Sequence, residues 1–110
     1  MRTLLTVGIM IAATSTATLA DSPYLSHDRQ SELIRLVRQD CGSCHGMRLT
    51  GGLGPALTPE ALQDKPAAAL LSTILHGRPG TPMPPWNNFL SESEAAWIVD
   101  ALQKGFPDAR

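Results

Sequence analysis

Apolar residues recur along the chain with the period of helices, and turn-forming residues separate the runs. Between His27 and Asp40, Leu33, Ile34, Leu36 and Val37 gather on one helical face, with Ser26 or Asp28 as the cap. Gly46, Gly51, Gly52, Gly54 and Pro55 then interrupt regular structure. Thr58-Pro59-Glu60 pairs a cap residue with a first-turn proline and opens a short helix to about Gln63. Pro66 starts another, through Leu70, Leu71, Ile74 and Leu75, and Gly77 ends it. Pro79, Gly80, Pro82, Pro84 and Pro85 bar helix and inner strand from residues 78–88. Ser91 and Glu94 form a capping box for a last helix whose apolar face is Ile98, Val99 and Leu102, closed by Gly105 and Pro107. No stretch alternates as a strand does, so the pattern predicts an all-α domain.

The start of the chain reads differently. Arg2, the apolar run Leu4 to Ala13 and the small-residue site Thr18-Leu19-Ala20 have the order of a secretory signal peptide. The run is too short to span a membrane. The expected organisation is a leader over residues 1–20, cleaved after Ala20, and one domain over residues 21–110. With no lipobox cysteine in the leader, the expected product is soluble and periplasmic, without a membrane anchor.

Without the leader the chain carries 8 basic and 10 acidic residues, a net charge of −2. That balance excludes a basic nucleic-acid binder and an acidic disordered tail. A domain of this size buries only about 60% of its unfolded surface. Its aromatic residues are few: Tyr24, Trp86, Phe89, Trp97 and Phe106. The middle of the domain therefore calls for a filler other than side chains.

Cys41 and Cys44 are the whole cysteine inventory. Three residues apart, they would close too small a loop for a disulfide to stabilise much, so their role is chemical. Cys41-Gly42-Ser43-Cys44-His45 is the C-x-x-C-H haem attachment motif. Residues three apart on a helical turn face one way, which lets both thiols reach the two vinyl groups on one porphyrin edge while His45 turns to the iron. A zinc site would need further ligands at short spacing, and only His27 and His76 remain, far apart in sequence. A thioredoxin-like pair would need a βαβ setting, which is not seen. The cofactor expected is one covalent haem c.

For the second axial ligand the candidates are Met47, Met83, His27 and His76. Met47 is too close to His45 to reach the opposite haem face. Met83 lies 38 residues after His45, in Thr81-Pro82-Met83-Pro84-Pro85, where prolines stiffen the backbone on both sides. It is the expected ligand, with His76 the competitor. For His76 the alternative is a charge interaction with a helix C-terminus, and His27 is expected in solvent. Trp86 and Trp97 read as core packing rather than electron conduits. Arg48, Arg78 and Lys65 are either propionate contacts or plain surface, and Arg78, beside the methionine loop, is the one singled out for the propionates.

With Cys41-x-x-Cys44-His45, Gly54-Pro55 and Met83-Pro84 in this order, the chain resembles the small class I monohaem cytochromes c over about residues 27–105. The resemblance implies about four helices wrapped round one covalently bound haem, the first and last crossing. It implies that the Pro55 carbonyl accepts from His45 and that Leu57 and the helix at 66–75 line the pocket. Many such proteins carry an aromatic before the final leucine of the last helix; here that residue is Ala101, and Trp97 stands one turn earlier. Cys-Gly-Ser-Cys-His-Gly, Leu53-Gly54-Pro55-Ala56-Leu57 and His76-Gly77-Arg78…Met83-Pro84-Pro85-Trp86 further resemble the NirC group, periplasmic cytochromes of denitrifiers associated with cytochrome cd1 nitrite reductase.

What this implies is a one-electron carrier rather than an enzyme, with redox proteins as partners, among them the cd1 reductase. Two alternatives stand beside it. One is an accessory factor in haem d1 maturation, working with haem d1 assembly proteins. The other is a haem sensor or enzyme with an open iron position. Against that last reading, the chain offers no distal acid–base set beyond His76 and Arg78.

Overall fold

The structure is a computed structural model and describes residues 25–108; the expected leader, its cleavage site and Tyr24 lie outside them. Ser26 caps the first helix, α1 (His27–Leu36), by accepting the N–H of Arg29 at 3.2 Å. The helix does not end at Asp40. It widens into a π-turn over Val37–Cys41 and tightens again as α2 (Gly42–His45), so one continuous helical path leads from Ser26 to the imidazole. A π-turn takes in an additional residue and rotates everything after it. It therefore sets the direction in which Cys41, Cys44 and His45 leave a helix whose other face is anchored in the core. Gly46, at φ 91°, stops the path.

After an irregular loop, Thr58 accepts the N–H of Ala61 at 3.3 Å and Pro59 opens α3 (Pro59–Leu62). Helix α4 spans Ala67–His76, and Gly77 at φ 69° ends it. The following proline-rich segment folds back on α4, with Trp86 N–H donating to Ile74 O at 2.9 Å and Asn87 N–H to Leu75 O at 3.2 Å. Helix α5 (Glu92–Lys104) has the full capping box. Ser91 Oγ accepts the Glu94 N–H at 3.1 Å, and Glu94 Oε2 accepts the Ser91 N–H at 2.9 Å. Among the described residues there is no strand and no helix long and apolar enough to cross a membrane.

The core joins the two ends of the domain. Leu33 and Val37 from the first helical path meet Ile98 and Leu102 of α5, with Leu49, Leu62 and Leu90 from the connections around them. Two arginines fasten the same union. Arg29 donates through Nε to Glu94 Oε1 at 2.7 Å, at the start of α5. At the other end Arg38, in the π-turn, donates to the carbonyls of Phe106 and Pro107, both at 2.9 Å.

Arg38 also lies 5.5 Å from the centre of the Phe106 ring, which meets Trp97 edge-on at 6.4 Å. The aromatic missing at Ala101 is thus made good by a stack of Arg38, Phe106 and Trp97. Trp97 and Trp86 are half-buried and pack against the core. Helix α4 departs from this pattern. It carries Ala67, Ala68, Ala69, Leu70, Leu71, Ile74 and Leu75, yet none of its residues is fully buried.

Candidate functional site

The site is built around one imidazole. His45 ends α2, and the chain that follows turns back beneath it through three backbone bonds. Gly51 N–H donates to His45 O at 2.8 Å, Gly54 N–H to Cys44 O at 2.8 Å, and Gly52 N–H to Gly54 O at 2.9 Å. These bring the Pro55 carbonyl to 2.7 Å from His45 Nδ1. A carbonyl can only accept, so Nδ1 is the donor and Nε2 is the ring nitrogen left to take another partner. Gly54 is needed for this approach, since a Cβ there would lie 2.8 Å from both Nδ1 and Cε1 of the ring. Cys41 and Cys44, half-buried and unpaired, belong to the same helical path. Burial, with the Asp40 carboxylate beside it, pushes the Cys41 thiol up to about 11, so that thiol is neutral at physiological pH.

The methionine loop is equally constrained. Arg78 N–H donates to Met83 O at 3.1 Å, Thr81 N–H and Oγ1 both donate to Arg78 O, and Met83 N–H donates to Thr81 Oγ1 at 3.3 Å. The half-buried Met83 therefore sits in a small closed ring of chain. The other ligand candidates are placed elsewhere: His27, His76 and Met47 are all exposed, Met47 to 67%. Arg48, Lys65 and Arg78 are exposed too, and none of the three forms an ion pair among the described residues. Among those residues no group of three or more His, Cys, Asp or Glu side chains gathers as a metal site.

The family model for cytochrome C oxidase, cbb3-type, subunit III matches residues 29–100. The solved structure of a c-type cytochrome NirC superposes with a TM-score of 0.73 at 60% identity, covering 74% of this chain and 96% of that one. This chain belongs to the NirC group of c-type cytochromes. Cytochrome c55X of Pseudomonas aeruginosa is 65% identical over 77 residues, which are 70% of this chain and 65% of that protein, so the match spans just under two thirds of the relative's length. The solved structure of dihydro-heme d1 dehydrogenase NirN in complex with DHE also superposes, with a TM-score of 0.62 at 38% identity over 71% of this chain and 16% of the larger one.

Membership of the NirC group makes this a small monohaem electron carrier with a covalently attached haem c. The residues present fit that group on three counts. Two thiols and an imidazole with a free Nε2 issue from one helical path. Leu57, Leu70, Ile74 and Trp86 pack half-buried against the core, so each keeps apolar surface that a flat apolar cofactor could cover. Helix α4 supplies an apolar face that no other part of the described chain covers fully.

Sequence reasoning passed over two residues of this region. Leu49 has a left-handed backbone and a buried side chain, and nothing in composition or period marks such a residue. Gly77 was read only as a helix stop. Its second role is close contact, because a Cβ there would lie 2.7 Å from Met83 O.

Proposed function

We propose that this cytochrome is a periplasmic one-electron carrier in denitrification, donating to a cytochrome cd1 nitrite reductase. In this reading Cys41 and Cys44 would hold the haem covalently, His45 Nε2 and the Met83 thioether would ligate its iron, and Arg78 would meet a propionate. The observation that carries His45 as a ligand is the 2.7 Å bond between its Nδ1 and the Pro55 carbonyl, which leaves Nε2 for the iron. When bound, haem c supplies a reversible one-electron couple, raised in potential by His/Met ligation. The protein's part is to hold both ligands so that little moves when the charge changes. The hydrogen-bonded ring over residues 78–83 and the loop over residues 46–57 supply that rigidity. The periplasmic location rests on the leader read in residues 1–20, and the domain is taken as residues 21–110.

The optical spectrum of the purified protein tests the ligands. Both forms should be six-coordinate, with a sulfur–iron charge-transfer band in the oxidised form and no response to CO. Met83→Ala should keep the haem attached, abolish the band, lower the potential and admit CO. An unchanged spectrum in that variant would give the sixth position to another residue, His76 first.

A second reading is favoured by the likeness to NirN, a dihydro-heme d1 dehydrogenase. On that reading the carrier serves the maturation of haem d1. Deleting the gene separates the two. A reductase that lacks haem d1 indicates maturation, and an intact reductase that turns over slowly indicates electron donation.

A further inference from the structure

Leu49 is the one non-glycine residue among those described with a positive φ, at 60°. Sterics disfavour that region for any residue bearing a Cβ, and the same loop places glycine at its other left-handed positions, Gly46 and Gly51. A glycine at position 49 would relieve the backbone but forfeit the side chain, which is 3% exposed and packs into the core with Leu33, Val37, Leu62, Leu90, Ile98 and Leu102. An outlier kept in place by its surroundings is a pointer to function.

The backbone bonds of Leu49 show what the conformation achieves. Its N–H donates to Gly46 O at 2.8 Å and closes the turn after His45. Its carbonyl accepts the N–H of Leu57 at 2.8 Å, two residues beyond Pro55. The Gly54-Pro55 segment is thus gripped from both sides, by Cys44 O through Gly54 N–H and by Leu49 O through Leu57 N–H. Between these grips lies the carbonyl that meets His45 Nδ1.

We propose that Leu49 is a positioning residue for His45: its buried side chain anchors the loop to the core, and its left-handed turn aims its carbonyl to hold Leu57, and thereby Pro55, against the imidazole. The inference rests on His45 being an iron ligand. The bond from Nδ1 to Pro55 makes the ligand more basic and favours the oxidised iron, so loosening the grip at Leu49 raises the reduction potential.

The test uses the holoprotein with potentiometry and NMR. Leu49→Ile keeps the side chain apolar and nearly isosteric, but β-branching makes a positive φ far harder to hold. It should raise the potential and speed solvent exchange of the Leu57 amide by about tenfold. Leu49→Met, unbranched, should match the wild type. Leu49→Ala and Leu62→Ala both empty a buried leucine site and should both lower the Tm, yet only Leu49→Ala should raise the potential; this pair decides the matter if the isoleucine variant fails to fold. An unchanged potential and amide exchange in Leu49→Ile, or an equal shift in Leu62→Ala, overturns the proposal. If the His45 ring protons of the oxidised wild type carry no paramagnetic shift, the ligand reading falls and this inference with it. If they carry it and Leu49→Ile leaves them and the potential unmoved, this inference alone falls.

Discussion

Gly77 and Met83 are in such close contact that a single methyl group would part them: a Cβ on Gly77 would lie 2.7 Å from the Met83 carbonyl oxygen and 2.8 Å from Pro84 C and Pro85 N. The end of α4 and the methionine loop therefore form one rigid corner, fixed further by the bond from Arg78 N–H to Met83 O. Gly77→Ala meets both this overlap and a φ of 69°. It should cost about 2–4 kcal/mol and weaken the sulfur–iron band with Met83 itself intact. Thermal unfolding followed at that band checks both effects, and a band of full strength would show that the corner does not hold the thioether.

A comparable crowding protects the imidazole. Gly54→Ala places a methyl 2.8 Å from Nδ1 and Cε1 of His45. The ring or the loop has to shift, at about 1–3 kcal/mol, and the bond to the Pro55 carbonyl lengthens. The potential should rise in the same direction as for the Leu49 variants. Potentiometry that finds it lowered or unmoved would contradict this account of how Pro55 acts.

Glu94 makes stability depend on pH. The Arg29 guanidinium, and after it the Ser91 N–H, hold its carboxyl below the ordinary glutamate value. A depressed acid stabilises the fold above its unfolded value and loses that contribution as pH falls through the folded one. Glu94→Gln should therefore cost about 1 kcal/mol at neutral pH, from the ion pair with Arg29 alone, since a glutamine oxygen can still accept the Ser91 N–H. The difference from wild type should shrink as pH falls below the unfolded glutamate value of about 4.3 and through the lower folded one. Glu32, the other partner of Arg29, is more exposed at 57%, and Glu32→Gln should change little. Denaturant melts of the three proteins across the acid range decide it.

Arg38 allows a choice between two kinds of contact. Its bond to Asp108 Oδ1 at 3.2 Å reaches a carboxylate that is 97% exposed, so screening leaves it little value. Its bonds to the carbonyls of Phe106 and Pro107, and its place over the Phe106 ring, use the planar fork of arginine. Arg38→Lys should lose about 1–2 kcal/mol, while Asp108→Asn should stay within about 0.5 kcal/mol of wild type. A loss in Asp108→Asn with little change in Arg38→Lys would mean that the ion pair, not the fork, fastens α5.

Local signals gave much of this structure in advance. Ser26, Thr58 and the Ser91–Glu94 box each start a helix where a cap residue stands before an apolar run. The spacing of Cys41, Cys44 and His45 announced the chemistry because it is a constraint between near neighbours. What stayed hidden was set at long range. The π-turn over Val37–Cys41 has no compositional mark, although its Val37 sits fully buried in the core with Ile98 and Leu102. Leu49 contradicts local preference outright and is tolerated only because the core holds its side chain. Arg38 gave no sign of its role, because its partners lie 68 and 69 residues further on.

Those distant partners bear on the order in which the molecule comes together. The contacts that seal the domain, from Arg29 to Glu94 and from Arg38 to Phe106, bridge 65 and 68 residues. Closing a ring of that length costs about 4 kcal/mol in its length-dependent part alone, and contacts so remote are made late. The segment from Ser26 to His45 needs only local bonds to take shape. The segment that bears Cys41, Cys44 and His45 thus has its shape before the final helix seals it into the domain.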